Sequence, residues 1–93
     1  MIECQDGRCT LTGAVNIGNV LVLREQGLRL FTAAQTELDL SGVTEVDSTA
    51  LSLLFEWRRA ALAANCSIRY VNLPENLSSL ARLYGVTELV AAG

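Results

Sequence analysis

Histidine and lysine are both absent from this sequence of 93 residues, and all seven basic residues are arginine. The chain therefore lacks the commonest general base, the amine that forms Schiff bases and the lysine of phosphate-binding loops. It also lacks a Gly-x-Ser-x-Gly motif and a glycine-rich phosphate loop. Asp39, Glu45 and Asp47 could act as paired carboxylates, but a strand face and a helix N-cap account for them more simply. The sequence argues against an enzyme.

Positive charge is also scarce, since the net charge is −3 at neutral pH. Nucleic acids and anionic lipid headgroups are bound through basic surfaces, so neither is an expected ligand. The longest run without charge, residues 9–23, is shorter than the roughly 20 apolar residues of a membrane span and contains Asn16 and Asn19. The N-terminus carries Glu3 and Asp6 and lacks the charged and apolar regions of a signal peptide. We expect a cytoplasmic protein without direct membrane insertion.

The chain contains only three cysteines, an odd number. Cys4, Cys9 and Cys66 show no Cys-x-x-Cys spacing, and no histidine accompanies them. This pattern argues against a zinc site and against a disulfide framework. It favours reduced thiols in a core or on a strand.

Apolar residues make up 51% of the chain and charged residues only 18%. This composition and length fit one domain over residues 1–93 with a single modest core. Such a domain can fold alone and still keep apolar surface for a partner.

Strand and helix patterns alternate along the chain, which favours an α/β fold with about three helices on a mixed sheet of four to five strands. Gly27 falls inside the first helix, where it costs about 1 kcal/mol relative to alanine, so we expect close packing around it. Gly42 breaks the alternation of the third strand and predicts a loop before the second helix. Residues 86–90 fit either a strand or a helical turn. The predicted elements are strands at 2–4, 8–12, 37–41 and 67–72, helices at 19–31 and 48–64, and a third helix that opens at 73–75 and ends at Gly85, with a buried stripe of Leu77, Leu80, Ala81 and Tyr84.

Asp47 is the predicted N-cap of the second helix, which places the hydroxyls of Ser48 and Thr49 in its first turn. Backbone N–H groups and the positive end of the helix dipole lie in that space. The simplest role of the two hydroxyls is helix initiation. The alternative is that one of them binds a partner or carries a phosphate.

The second helix is apolar on two opposite sides when its residues are placed 100° apart. One side is a core-facing stripe, in which small alanines allow close approach to the sheet. The other side mixes apolar residues with arginine and serine, the composition of a protein-binding surface. Its apolar residues could instead pack beneath a neighbouring helix. The core stripe is Ala50, Leu53, Leu54, Trp57, Ala60, Ala61 and Ala64, and the other side is Ser48, Leu51, Ser52, Phe55, Arg58, Arg59 and Leu62.

The chain around the start of this helix reads Asp39-Leu40-Ser41-x-Val43-x-x-Val46-Asp47-Ser48-Thr49-Ala50-Leu51. This segment resembles the signature of STAS domains, the family of anti-sigma-factor antagonists and of C-terminal modules of sulfate transporters. Residues 55–60, 71–74 and 80–86 are similar to the MlaB-type members of the family. The resemblance covers nearly the whole chain and is firmest over residues 36–86.

The resemblance implies a STAS fold and a non-catalytic subunit that binds the ATPase of an ABC-type phospholipid transporter maintaining outer-membrane lipid asymmetry. Such a subunit would be cytoplasmic and would reach the inner membrane only through its partner. It would need no cofactor or metal, since its partners would handle ATP, magnesium and lipid. The implied partner-binding residues are Ser48, Leu51, Ser52, Phe55, Arg58, Arg59 and Leu62.

The resemblance also implies an alternative, an anti-sigma-factor antagonist that binds an anti-sigma kinase and is released by phosphorylation. Thr49 matches the phosphorylated position of those antagonists, whereas Ser48 matches the hydroxyl that MlaB-type members require. Ala50 replaces a glycine that is common among the antagonists. Nucleotide binding has no support beyond one helix N-terminus, and the sequence predicts no oligomeric state.

Overall fold

The structure, a computed structural model, describes residues 1–86. Over these residues it has three helices and a mixed four-stranded sheet, which confirms the predicted α/β class and the predicted order of elements. Apart from Val86, the segment 86–90 lies outside the described residues. The elements are β1 Ile2–Gln5, β2 Arg8–Val15, α1 Val20–Leu30, β3 Gln35–Val46, α2 Ser48–Ala63, β4 Ser67–Val71 and α3 Glu75–Leu83.

The sheet has the strand order β1-β2-β3-β4. β1 and β2 form an antiparallel hairpin, whereas β3 runs parallel to both β2 and β4. Asp6 and Gly7 connect the hairpin with φ angles of 53° and 81°, the conformation that favours Asp-Gly at a tight turn. Because β2 and β3 are parallel, their C-terminal ends meet at one edge of the sheet.

The three helices form one layer, in which α2 contacts both α1 and α3. This layer covers one face of the sheet, because alternate residues of β3 are buried while those between them are not. Thr36, Leu38 and Leu40 are buried, whereas Glu37 and Asp39 lie on the opposite face. The core is therefore a single apolar layer between helices and sheet. Its largest fully buried side chains are Trp57, Leu11, Leu38, Leu40, Leu53 and Leu77.

The close packing predicted around Gly27 is confirmed. A Cβ atom at this position would collide with the indole ring of Trp57. The indole N–H of Trp57 donates to the Arg24 carbonyl at 3.3 Å, and the Phe31 ring meets the Trp57 ring edge-on at 5.0 Å. The absent side chain of Gly27 thus allows α1 to lie directly against α2.

Gly42 does not end the third strand, contrary to the prediction of a loop after residue 41. β3 continues through Gly42 to Val46. Gly42 pairs with Thr12 of β2 at a register shift, and a Cβ atom at residue 42 would lie 2.6 Å from Thr12 Cγ2. Gly42 therefore allows β2 and β3 to approach closely at an irregularity in their pairing, and it does not form a turn.

The prediction of reduced cysteines is wrong for two of the three residues. Cys4 and Cys9 form a disulfide, while Cys66 is free. Gln5 and Arg8 flank the two-residue turn, so Cys4 and Cys9 are the next pair along the hairpin and lie directly opposite, with Cα atoms 4.0 Å apart. Counting cysteines could not reveal this pairing, because it depends on the hairpin register.

The predicted helix ends agree with the structure to within a residue or two. Asn65 follows α2 with φ of 59°, and Gly85 follows α3 with φ of 67°. Pro74 occupies the N-cap position of α3, directly before its first helical residue. Among residues 1–86, the structure contains no helix with the length and hydrophobicity of a membrane span.

Candidate functional site

The N-terminus of α2 lies where the C-terminal ends of β2 and β3 meet. Val15 pairs with Val46 at this edge, so the loop after β2 and the residue after β3 are neighbours. Asp47 joins them with both carboxylate oxygens. One oxygen accepts from the backbone N–H of Thr49 at 2.9 Å, and the other accepts from the backbone N–H of Ile17 at 3.0 Å. Asp47 is thus the N-cap of α2, as predicted, and it also connects the start of α2 to the β2–α1 loop.

The β2–α1 loop is held by two asparagines. The Asn19 side chain donates to the Ala14 carbonyl at 2.7 Å and accepts from the Asn16 backbone N–H at 3.0 Å. The Asn16 side chain accepts in turn from the Gly18 backbone N–H at 2.9 Å. These bonds fix the loop and leave Ile17 exposed next to the start of α2.

The two hydroxyls of the first turn have different surroundings. Thr49 is half-buried, and its hydroxyl donates to the Asp47 carboxylate. This bond is the main cause that lowers the pKa of Asp47, assisted by the backbone bonds from Ile17 and Thr49 and opposed by partial desolvation. Ser48 is exposed. Thr49 therefore supports the helix start, while Ser48 is presented to solvent.

The outer face of α2 contains most of the predicted partner-binding residues. Phe55 is 39% exposed and Leu62 is 65% exposed. Both lie on the same side of the helix as Ser48, Ser52 and Arg59, which are exposed. Arg58 is half-buried at the edge of this side. We call Ser48, Ser52, Phe55, Arg59 and Leu62 the outer face of α2.

Leu51 does not belong to this exposed surface, which corrects its assignment as a surface contact. Only 6% of its surface is accessible, and it joins the core cluster. The reason is that α3 lies on the same flank of α2, so Leu51 forms the floor of the space between the two helices. The alternative that an apolar residue of this side packs under a neighbouring element holds for Leu51 but not for Phe55 or Leu62.

A groove of about 340 Å³ runs between the start of α2 and the end of α3. It connects the Ser48 hydroxyl with the exposed edge of Phe55. Tyr84 forms its opposite wall and is 57% exposed, although its spacing from Leu77 predicted a buried position. Gly85 ends the helical segment directly after Tyr84, so this side chain lies beyond the part of α3 that packs on the sheet. The groove is lined by Ser48, Thr49, Leu51, Ser52, Phe55, Tyr84 and Val86.

Sequence reasoning missed two surface residues of this region, Tyr84 and Ile17. The signal for Tyr84 was its place immediately before a helix-ending glycine, where the buried periodicity no longer applies. Ile17 carried no such signal, because its exposure depends on the loop that the asparagines fix.

Charge is divided between the two layers of the molecule. The three helices contain five arginines and three glutamates, whereas the strands and loops of residues 1–86 contain two arginines and six acidic residues. Glu56 contacts two of the helical arginines, Arg59 at 3.5 Å and Arg24 at 3.7 Å. The helical layer is therefore net positive, although the chain as a whole is negative.

Of the other two carboxylates considered for catalysis, Asp39 has a structural partner. Asp39 accepts from the Ser41 backbone N–H at 2.8 Å, which is the main cause that lowers its pKa. It lies on the sheet face opposite the helices, away from the start of α2. Within residues 1–86, no three His, Cys, Asp or Glu side chains come together as metal ligands would.

Comparison with known proteins gives one matching family model and several solved structures with a similar fold. The family model described as "Mlab, STAS domain" matches residues 2–91. The structure of the anti-sigma factor antagonist SpoIIAA in its unphosphorylated form superposes with a TM-score of 0.77 at 12% identity, over 97% of this chain and 84% of that one. A crystal structure of Mglu superposes with a TM-score of 0.62 at 19% identity, over 81% of this chain but only 19% of that one. At these identities the two structures show the fold alone. No curated protein sequence matches the chain.

Proposed function

Because this chain belongs to the STAS domain family in its MlaB-type branch, we propose that it is a non-catalytic subunit that binds the ATPase of an ABC-type phospholipid transporter. The outer face of α2 is the docking surface, and Ser48 is its polar contact at the helix start. The observation that carries this proposal is that Phe55 and Leu62 are exposed on the same side of α2 as the exposed Ser48. The opposite side of this helix packs into the core.

The outer face of α2 has the features of a protein-binding surface. Phe55 provides an aromatic anchor, Leu62 extends the apolar centre and Arg59 lies on its rim. Because 39% of Phe55 remains exposed, burial of that part on a partner would contribute about 1 kcal/mol. The groove beside Phe55 offers space for a side chain of the partner.

Ser48 is the better candidate than Thr49 for the direct contact. The Thr49 hydroxyl is engaged by Asp47, whereas Ser48 is exposed at the helix N-terminus. A neutral hydroxyl there can bond to a polar group of the partner, assisted by the helix dipole. A negative charge at residue 48 would instead disturb a packed interface.

The proposed subunit acts in the cytoplasm and meets the inner membrane through the transporter. ATP, magnesium and lipid are handled by the partner proteins.

The second candidate function is that of an anti-sigma-factor antagonist controlled by phosphorylation. The fold match to SpoIIAA favours it, together with the hydroxyls at the start of α2. In this case the partner would be an anti-sigma kinase, and Ser48 or Thr49 would carry the phosphate. Mass spectrometry of protein purified from its own cells separates the two functions, because stoichiometric phosphate on either residue supports the antagonist.

The experiment for the leading function is co-purification from native membranes, with identification of the recovered ATPase. We expect Phe55→Ala to weaken the complex about fivefold, in keeping with the loss of about 1 kcal/mol, and Ser48→Asp combined with Phe55→Ala to abolish recovery. Val22→Ala, an exposed apolar position on α1, is the matched control and should retain the partner. Full recovery with the Ser48→Asp/Phe55→Ala protein would overturn the proposal.

A further inference from the structure

A cavity of about 140 Å³ lies between the C-terminal halves of α1 and α2, at the end of α2 away from the groove. The Phe31 and Trp57 rings form part of its wall, and Ala60 and Ala61 leave room beside them. Protein interiors rarely leave voids much larger than a water molecule. An apolar cavity of about 150 Å³ engineered into another protein stays dry and binds benzene. The volume here fits one aromatic ring.

The alanines of α2 explain why this space exists. They were predicted to bring the helix close to the sheet, but Ala60 and Ala61 are only partly buried and Ala64 is exposed. Trp57 holds α1 and α2 together further along, where it packs against Gly27. Beyond that contact the small side chains do not reach across, which leaves the cavity, and Ala64 is an exposed residue of its lining.

Thr36 gives the cavity a polar wall. It is the one buried polar residue within residues 1–86, with 4% of its surface accessible, and it lies on β3 with its side chain toward the helices. Its hydroxyl has no hydrogen-bond partner among the described residues. Every fully buried side-chain oxygen of residues 1–86 has a hydrogen-bond partner. The small accessible area of Thr36 therefore includes its hydroxyl, which faces the cavity.

The Thr36 hydroxyl has no protein partner within residues 1–86 and faces the cavity, so it is available to donate or accept a hydrogen bond with a molecule bound there. A purely apolar molecule would leave this hydroxyl without a partner. A small molecule with an aromatic body and one hydroxyl or carbonyl group would meet both the rings and the threonine.

We propose that this cavity binds a small aromatic molecule that carries one hydrogen-bonding group. The ring lies against Trp57 and Phe31, and the polar group bonds to the Thr36 hydroxyl. The site does not rest on the proposed function, because no residue of the outer face of α2 lines the cavity.

Phenol and benzene are the probes, and the indole N–H resonance of Trp57 reports binding, because the chain has one tryptophan. We expect both probes to shift this resonance saturably in the full chain. Thr36→Val has nearly the same shape and removes the unpartnered hydroxyl, so the fold should be at least as stable. We expect it to weaken phenol roughly tenfold and to leave benzene within about twofold.

Two alanines at the end of α2 provide a matched pair of variants. Ala64 lines the cavity and Ala63 does not, although both are exposed in the same helical turn. We expect Ala64→Leu to weaken both probes at least tenfold and Ala63→Leu to leave them unchanged. Ala60→Leu fills the cavity from inside and should have the same effect as Ala64→Leu.

Three outcomes would overturn the proposal. The first is that neither probe shifts the Trp57 indole N–H resonance at any concentration up to its solubility limit, which would mean that the cavity holds water alone. The second is that the leucine variants at 63 and 64 lower the affinity equally, which would place the probes elsewhere. The third is that Thr36→Val weakens the binding of phenol and of benzene alike, which would remove the role of the hydroxyl.

Discussion

Ser48 and Thr49 are adjacent hydroxyls that the sequence could not tell apart. Both fall in the first turn of α2, and either could have initiated the helix or faced a partner. The structure separates them through Asp47, whose carboxylate accepts from the Thr49 hydroxyl and leaves Ser48 exposed. The N-cap was predictable because Asp47 precedes a run of helix formers. The division of roles was not, because it depends on which side of the turn faces the β2–α1 loop.

The bond between Thr49 and Asp47 predicts how stability changes with pH. It lowers the pKa of Asp47 in the folded protein. A carboxylate with a lowered folded pKa stabilises the fold above its unfolded pKa, and the contribution is lost as the pH falls through the folded pKa. We expect the free energy of unfolding, measured in urea, to fall as the pH is lowered from about 5 to about 3. Asp47→Asn should make this fall shallower.

Two threonine variants test whether the hydroxyl is the cause. Thr49→Val removes the bond and should flatten the same part of the pH profile, whereas Thr49→Ser keeps a hydroxyl and should leave it unchanged. Asp39 also has a lowered pKa, so some dependence on pH should remain in every variant. An Asp47→Asn profile identical to that of the original chain would contradict the expectation.

At the scale of elements, periodicity predicted the type and order of every described helix and strand. It failed where two elements meet. Gly42 was interpreted as a break because glycine usually ends a strand, but its pairing with Thr12 is a contact between strands that one strand cannot reveal. Cys4 and Cys9 became partners through the register of the hairpin, and Leu51 became buried through the position of α3.

Gly27 is the opposite case. The low helix propensity of glycine within α1 correctly predicted a close contact with a second helix, α2. Gly27→Ala should gain about 1 kcal/mol of helix propensity. It would also drive a Cβ atom into the Trp57 indole. Overpacking of this kind costs about 1–3 kcal/mol, and because the clash involves a fixed ring we expect a net loss of stability. Thermal and urea unfolding of the Gly27→Ala protein and of the original chain measure this loss of stability.

The Trp57→Phe background supplies the control for this prediction. Phenylalanine lacks the part of the indole ring that meets residue 27, so alanine should cost less there. A double-mutant cycle measures the difference, since residues in contact are not additive. If Gly27→Ala has the same effect with tryptophan and with phenylalanine at 57, the contact is not what requires the glycine.

For the whole molecule, net charge proved a poor guide to the surface that a partner would meet. A charge of −3 argued against basic surfaces, yet the negative charge lies mainly on the strands and loops and the helical layer is net positive. Composition gives only the net charge of the whole chain. The distribution of charge over the surface depends on which charged residues lie on the helices. The proposed docking surface belongs to the positive layer, so its partner should present acidic groups.

Association with the proposed ATPase partner should therefore be faster at low ionic strength. Opposite charges steer two proteins together, and salt screens them over about 10 Å at 0.1 M. We expect the association rate constant, measured by surface plasmon resonance over a salt series, to fall as salt rises. Arg59→Ala should lower the rate at low salt by roughly twofold and flatten the salt dependence, with little change in dissociation.

Arg69 provides the matched control for Arg59. Each is an exposed arginine with a glutamate partner, Glu37 at 3.4 Å for Arg69 and Glu56 at 3.5 Å for Arg59. They lie on opposite sides of the molecule, because Arg69 is on the sheet face away from the helices. Arg69→Ala removes the same charge and should leave the association rate within experimental error. If the two variants slow association equally, steering arises from total charge, and the helical layer has no special place in recognition.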